Sequence, residues 1–426
     1  MLFFAKRAPA IGLACFSLIS VAAAFAQGPP KYAFDQGWPK PLPNEWIWGH
    51  VEGIATDSKD DIWVLNLMRS TPADDACLAN GQCDTCCTYA PEVVELDPSG
   101  NVMSYWGGPG FPAKDGTHLD WMVDGNGFTV DGDNNIWVGG GDCGLYSFGY
   151  YSGGLPEFEK YRGSMCRRLL KFSPEGKILL DLGKILPNCK DAECLAGDRT
   201  HPGTPANNQD TTMFGGVFAI LVDDAHREVY VGDGSLNRRV IVIDKYTGAF
   251  KRGWGAYGIP LSEVDNFREP LYDPAKHGTR PEKYPYNPSA PPARQFRGPV
   301  TGLALSRDGL LYVADRGNDR VQVFTREGKF VKEFFIHPRS ILLGTAGYIA
   351  LSHDPGQKYL FVADQANGCV WIYDRRSGVE VGHIGRKGHM GGEFDIMNAI
   401  ALDSRGNLYT TEVKYQNRIQ RFLLEK

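Results

Sequence analysis

Beyond its N-terminus the chain has no apolar run long enough to cross a bilayer. It has no phosphate-binding G-x-x-x-x-G-K-[ST] loop and no G-x-S-x-G elbow, and "GGGDCG" (Gly139–Gly144) lacks the helix that a dinucleotide fingerprint needs. C-x-x-C-H is absent, so covalent c-type haem is not indicated. Basic residues form no stripe, and a net charge of -5 over 426 residues gives nucleic acid nothing to bind. Helical periodicity is missing too. What is abundant is turn chemistry: 51 Gly and 27 Pro favour a β architecture.

The N-terminus carries the pattern of an export signal. Lys6 and Arg7 precede the apolar run "AIGLACFSLISVAAAFA", and Ala24-Phe25-Ala26 offers a small-x-small cleavage site before Gln27. The expectation is a signal peptide over residues 1–26 and a mature single domain over 27–426, exported to a periplasm or secreted. Of ten cysteines, Cys15 leaves with the signal, so nine would reach an oxidising space where disulfides persist.

One unit recurs six times. Its copies open with "EGIATDSKDDIWVLN", "NGFTVDGDNNIWVGG", "FAILVDDAHREVYVGDG", "TGLALSRDGLLYVADRGNDRVQVF", "GYIALSHDPGQKYLFVADQANGCVWIY" and "NAIALDSRGNLYTTEVKYQNRIQRF". Each reads as an apolar strand, an Asp/Gly turn, a second strand with an aromatic residue near its end, and further short strands between tight turns. Six four-stranded units predict an all-β, six-bladed β-propeller. The last copy runs out after its third strand, and "KYAFDQGWP" (Lys31 to Pro39) can supply the missing outer strand and close the ring.

"VADRGNDRVQVFTREGKFVKEF" and "EFDIMNAIALDSRGNLYTTEVKYQNRIQRF" resemble NHL repeats. Over roughly residues 30 to 426 the chain is similar to secreted bacterial six-bladed propellers grouped with peptidyl-α-hydroxyglycine α-amidating lyases. That resemblance implies a propeller with its working site at the hub, and leaves the activity to be argued from the site.

The turns between first and second strands and between third and fourth strands are tight. The connections on the opposite face include long insertions, over residues 67–91, 107–125, 141–167, 185–216 and 258–299. Long insertions confined to one face point to a working surface. Eight cysteines fall there: Cys77, Cys83, Cys86, Cys87, Cys143, Cys166, Cys189 and Cys194. They read as staples of looped segments, with 105 possible connectivities. A bond between neighbours Cys86 and Cys87 would be strained, because adjacent Cα atoms are closer than a disulfide prefers. The two could equally pair elsewhere. Cys369, at the start of a blade-five strand, is the expected lone buried thiol.

The residue before each "GIA/GLA" element is expected to point into the hub. In the amidating lyases, histidines at such positions hold zinc. Here the positions are Glu52, Asn126, Phe218, Thr301, Gly347 and Asn398, and none is histidine. Glu52, Asn126 and Asn398 come from neighbouring blades and form a hard-oxygen set suited to a divalent ion, calcium before zinc. In kind this is similar to the calcium hub of gluconolactonase-like and paraoxonase-like hydrolases. A water-filled polar plug is the bland alternative. His50 would lie beside this set as a candidate general base. Arg69, His118 and His389, on the looped side, are candidate substrate contacts.

Two readings follow. One is an exported metal-dependent hydrolase or lyase acting on a small molecule at the hub. The other is a non-catalytic propeller whose looped face binds a protein, peptide or glycan. The sequence leaves substrate identity and oligomeric state open.

Overall fold

The computed structural model describes residues 28–67, 87–108, 125–140, 167–183, 207–234, 237–264, 292–297, 299–340, 344–413 and 416–425. Among the described residues, six four-stranded antiparallel sheets account for nearly all of the regular structure, and helix is limited to short 3-10 turns. The innermost strands are His50–Thr56, Gly125–Val130, Val217–Asp223, Val300–Leu305, Tyr348–Leu351 and Met397–Leu402. Each packs against the next, and the sixth packs against the first, so the sheets form a closed six-bladed ring. In blade six the three C-terminal strands are completed by Tyr32–Phe34 from the other end of the chain. Its pairs are Tyr32 with Leu424, Ala33 with Leu423 and Phe34 with Phe422.

Turn chemistry sets the hairpins. The Asp57 carboxylate accepts the backbone N–H groups of Lys59 and Asp61 at 2.8 and 3.0 Å. Asp131 and Asp403 repeat the arrangement in blades two and six. Such Asx turns replace backbone pairing and tolerate a following left-handed residue. Those residues are Asp60, Asn134 and Gly406, with φ of 65°, 61° and 83°.

The second strand of every blade carries one large aromatic residue at the same register position: Trp63, Trp137, Tyr230, Tyr312, Phe361 and Tyr409, all buried. Each packs against the following blade. Trp63 shares a core cluster with Ile136 and Val138 of blade two, Phe361 with Met397 and Leu408 of blade six, and Tyr409 with Val51 and Val64 of blade one. Burial of these rings supplies on the order of 2–3 kcal/mol each and makes the contact between blades, not the sheet alone, the unit of stability.

A second repeated device joins the second and third strands. Arg239 donates Nε to Asp233 Oδ2 at 2.7 Å, Arg320 does the same to Asp315 at 2.7 Å, and Arg418 pairs with Glu412 in blade six. Blade five keeps the acid, Asp364, but Cys369 stands where the arginine would be. Asn367 Nδ2 and Trp371 Nε1 serve Asp364 instead, at 2.7 and 2.8 Å. Cys369 is a buried free thiol, and burial pushes its pKa up. It is therefore inert as a nucleophile.

An unforeseen element is a short parallel pair, Trp46–Ile47 with Thr88–Tyr89, which ties the approach to blade one to the segment that enters its third strand. The signal segment, most of the long insertions and Cys77, Cys83, Cys86, Cys143, Cys166, Cys189 and Cys194 lie outside the described residues.

Candidate functional site: the hub

The hub cavity has a volume of about 340 Å³ and is lined by all six inner strands. A β-bulge decides what enters it. The inner-strand register slips between Val51 and Gly53, Gly125 and Gly127, Val217 and Ala219, Val300 and Gly302, and Met397 and Ala399. The extra residue at each slip is therefore Glu52, Asn126, Phe218, Thr301 or Asn398, and all five line the cavity. A bulge re-aims one side chain out of the pleat. Gly53 makes the first of them possible: a Cβ there would meet the Phe128 Cβ of blade two at 2.4 Å.

Blade five departs from the sequence expectation. Gly347 is absent from the lining, and Tyr348 enters the cavity in its place. By register Tyr348 holds the slot that the other blades give to Gly53, Gly127, Ala219, Gly302 and Ala399. Its hydroxyl donates to Asn398 Oδ1 at 2.8 Å. Burial raises the phenol pKa; the charge of Arg316 opposes that rise and the charge of Glu52 adds to it. The phenol is therefore a fixed neutral donor at neutral pH.

Around Asn398 the contacts form a connected network. Its Nδ2 donates to the Glu52 carbonyl at 3.2 Å and makes a short hydrogen bond to Glu52 Oε2. Gln365 Nε2 donates to the Met397 carbonyl at 2.6 Å and reaches Asn398 Oδ1 at 3.5 Å, while its Oε1 accepts from Arg316 Nη1 at 3.0 Å. His50 is buried, with Nδ1 3.8 Å from Glu52 Oε1. Asn66 places the approach to His50: its Oδ1 accepts from Gly49 N at 2.8 Å, and its Nδ2 donates to the Ala90 carbonyl at 2.8 Å.

The structure thus brings together Glu52, Asn398 and His50, with Asn126 on the same cavity wall. His389 does not line the hub; it is exposed, and Gln416 Nε2 meets its Nδ1 at 2.7 Å. Arg69 and His118 lie outside the described residues. Tyr348, Gln365 and Arg316 belong to the site and were missed by sequence reading. A tyrosine in a column otherwise occupied by Gly and Ala was the available signal.

The donor set suits a hard cation in type. In this structure Asn398 turns its nitrogen toward Glu52. A half-turn of the amide, which changes little in shape, sets Oδ1 beside the carboxylate and lets Nδ2 donate to the Tyr348 oxygen. Two other carboxylate groups lie near the tight turns. Asp131, Asp133 and Asp224 are neutralised by Lys245, which is 2.6 Å from Asp133, with Lys171 3.0 Å from Asp131. Asp57, Asp61 and Glu95 form the other group, where desolvation first and then the charges of Asp57 and Glu95 push the Asp61 pKa up.

These features define an all-β propeller with a carboxylate-bearing polar hub. The family model for the NHL repeat matches residues 300–324, within blade four. Among solved structures the chain is similar to one described as "Streptogramin B lyase structure", at 11% identity and a TM-score of 0.45, covering 92% of this chain and 98% of that one. No curated protein sequence matches.

Proposed function

We propose that the protein is an exported, metal-dependent hydrolase or lyase that acts on a small molecule at the propeller hub. The observation that supports this is the convergence of one carboxylate (Glu52) and two amides (Asn126, Asn398) on one cavity of about 340 Å³, with the buried imidazole of His50 3.8 Å from Glu52. Glu52, Asn126 and Asn398 would hold a divalent cation, calcium in preference to zinc. When bound, such an ion supplies Lewis-acid polarisation of a carbonyl or phosphoryl oxygen. His50, next to Glu52, would hold or move the proton, and burial keeps bulk water from competing for it. His389, Arg69 and His118 would contact substrate from the looped side, and cysteine staples would hold the loops in an oxidising compartment.

A second reading is supported by the saturated hydrogen bonding of Asn398, which suits a ligand-binding scaffold with a rigid polar hub. Metal analysis of the purified mature protein separates the two, followed by a screen with lactones, esters and hydroxyglycine peptides; the last class tests the grouping with amidating lyases. Copurifying calcium, and turnover lost on chelation, support the enzyme. If no metal copurifies and chelator leaves the melting temperature unchanged, the cation site is refuted.

A further inference from the structure

A second charged cavity, of about 490 Å³, lies at the seam where the ring closes. Its lining includes Lys40 from the segment after the N-terminal strand, Ser99 from a blade-one turn, and Arg405, Arg421 and Leu423 from blade six. The lining holds three cations and no carboxylate, in a chain whose net charge is -5.

The three cations have different roles. Arg421 is fixed: Nε and Nη2 donate to Asp35 Oδ2 at 3.0 and 2.5 Å, Nη1 donates to the Pro98 carbonyl, and the guanidinium sits 5.3 Å from the Trp38 ring centre. Arg405 is 66% exposed in its side chain and comes only within 4.0 Å of Asp60. Both Asp60 oxygens already accept from Ser404, from its N at 2.8 Å and its Oγ at 2.7 Å. Lys40 Nζ donates to the Gly37 carbonyl at 3.2 Å, which leaves two of its three N–H groups for a ligand. Asp35, Asp60, Asp97 and Asp403 stand behind the wall, bonded to Arg421, to Ser404 and to the backbone of Ser99, Arg405 and Asn407, and none of them lines the cavity, so the charged side chains that do line it are cations. The walls are pinned in advance, since Lys40 N donates to the Gly100 carbonyl and Leu424 N to Asn407 Oδ1, each at 3.1 Å.

We infer that this seam cavity binds a multiply charged oxyanion of the phosphate class. Lys40 and Arg405 close over it as movable arms, Arg421 supplies fixed positive charge, and Ser99 offers a hydroxyl. Guanidinium and ammonium donors suit phosphate oxygens in charge and geometry. Leu423, 39% exposed, gives the cavity an apolar flank that admits a phosphomonoester as well as inorganic phosphate. Because the cations come from opposite ends of the chain, the anion would bridge the segments that close the ring. It would therefore stabilise the folded state by mass action. This inference is independent of any cation at the hub.

The test uses metal-stripped mature protein, titrated by calorimetry and by melting temperature with inorganic phosphate, with glycerol phosphate, and with sodium chloride at matched ionic strength. Saturable binding of either phosphate, with a rise in melting temperature that chloride does not reproduce, supports the site. Equal affinity for the two assigns recognition to the phosphate group alone; preference for the ester adds the Leu423 flank. The double variant Lys40→Ala/Arg405→Ala should keep its unliganded melting temperature and bind at least about tenfold more weakly, as expected for a lost charge-assisted contact. Undiminished binding by that variant, no binding by the parent, or an equal rise with chloride overturns the inference.

Discussion

The Tyr348 hydroxyl and the Asn398 side-chain oxygen meet at 2.8 Å across the junction of blades five and six. That bond ties Asn398 to blade five, so the hub's polar network includes a residue the other blades do not have. Tyr348→Phe should lower stability by about 1 kcal/mol, the usual worth of one buried hydrogen bond. Urea unfolding checks it. An unchanged midpoint would show that Gln365, at 3.5 Å, satisfies Asn398 without help.

Glu52→Gln should weaken calcium binding more than Asn126→Ala or Asn398→Ala, because it removes the only charge among the three. Calorimetric titration of each variant decides this. Equal losses in all three would place the ion's main contact elsewhere.

Repetition of the blade was legible in the sequence because the aromatic of the second strand and the turn Asp recur in phase. The structure puts Trp63, Trp137, Tyr230, Tyr312, Phe361 and Tyr409 in one register column. Glu52 and Asn398 were legible for the same reason. Arg316, Gln365 and Tyr348 were not, since aligning repeats compares columns and is silent on contacts between blades. The parallel pair of Trp46–Ile47 with Thr88–Tyr89 joins two segments of only two residues, too short to carry any period.

Arg320→Leu should cost about 3–5 kcal/mol, because it strands the Asp315 carboxylate in the interior. Cys369→Ala, at the matching position of blade five, should cost far less, since Asn367 and Trp371 already serve Asp364. Comparable losses from the two would deny the arginine its role.

Acid should unfold the protein partly through Glu228. Paired hydrogen bonds from Arg252, at 2.7 and 2.6 Å, outweigh desolvation and hold its pKa at about 2 against an ordinary 4.5. A depressed carboxylate stabilises the fold above its unfolded pKa, and that contribution is lost as pH falls from about 4.5 to about 2. On the order of 2 kcal/mol is at stake. Glu228→Gln should be less stable at neutral pH and show a shallower loss across that window; parallel curves for the two proteins would refute the assignment.

Mild reductant should abolish ligand binding while far-ultraviolet circular dichroism stays largely unchanged, because strand pairing and aromatic packing hold the blades and cysteines would staple only the loops. Global unfolding under the same conditions would show that disulfides hold the ring itself.

The pairing of Tyr32 with Leu424 also constrains the order of folding. A ribosome or a translocation pore delivers the strand Tyr32–Phe34 before any blade, and its partner arrives only after the other five blades. Until then the outer strand of blade six has nothing to pair with, because the third strand Arg418–Leu424 does not yet exist as a template. Earlier blades can pair locally, hairpin by hairpin, but the closing contact joins the most distant parts of the chain and carries the largest loop entropy. Emerging chains therefore hold an incomplete crescent with an open edge, which is the stage at which edge-to-edge association with another chain competes with closure.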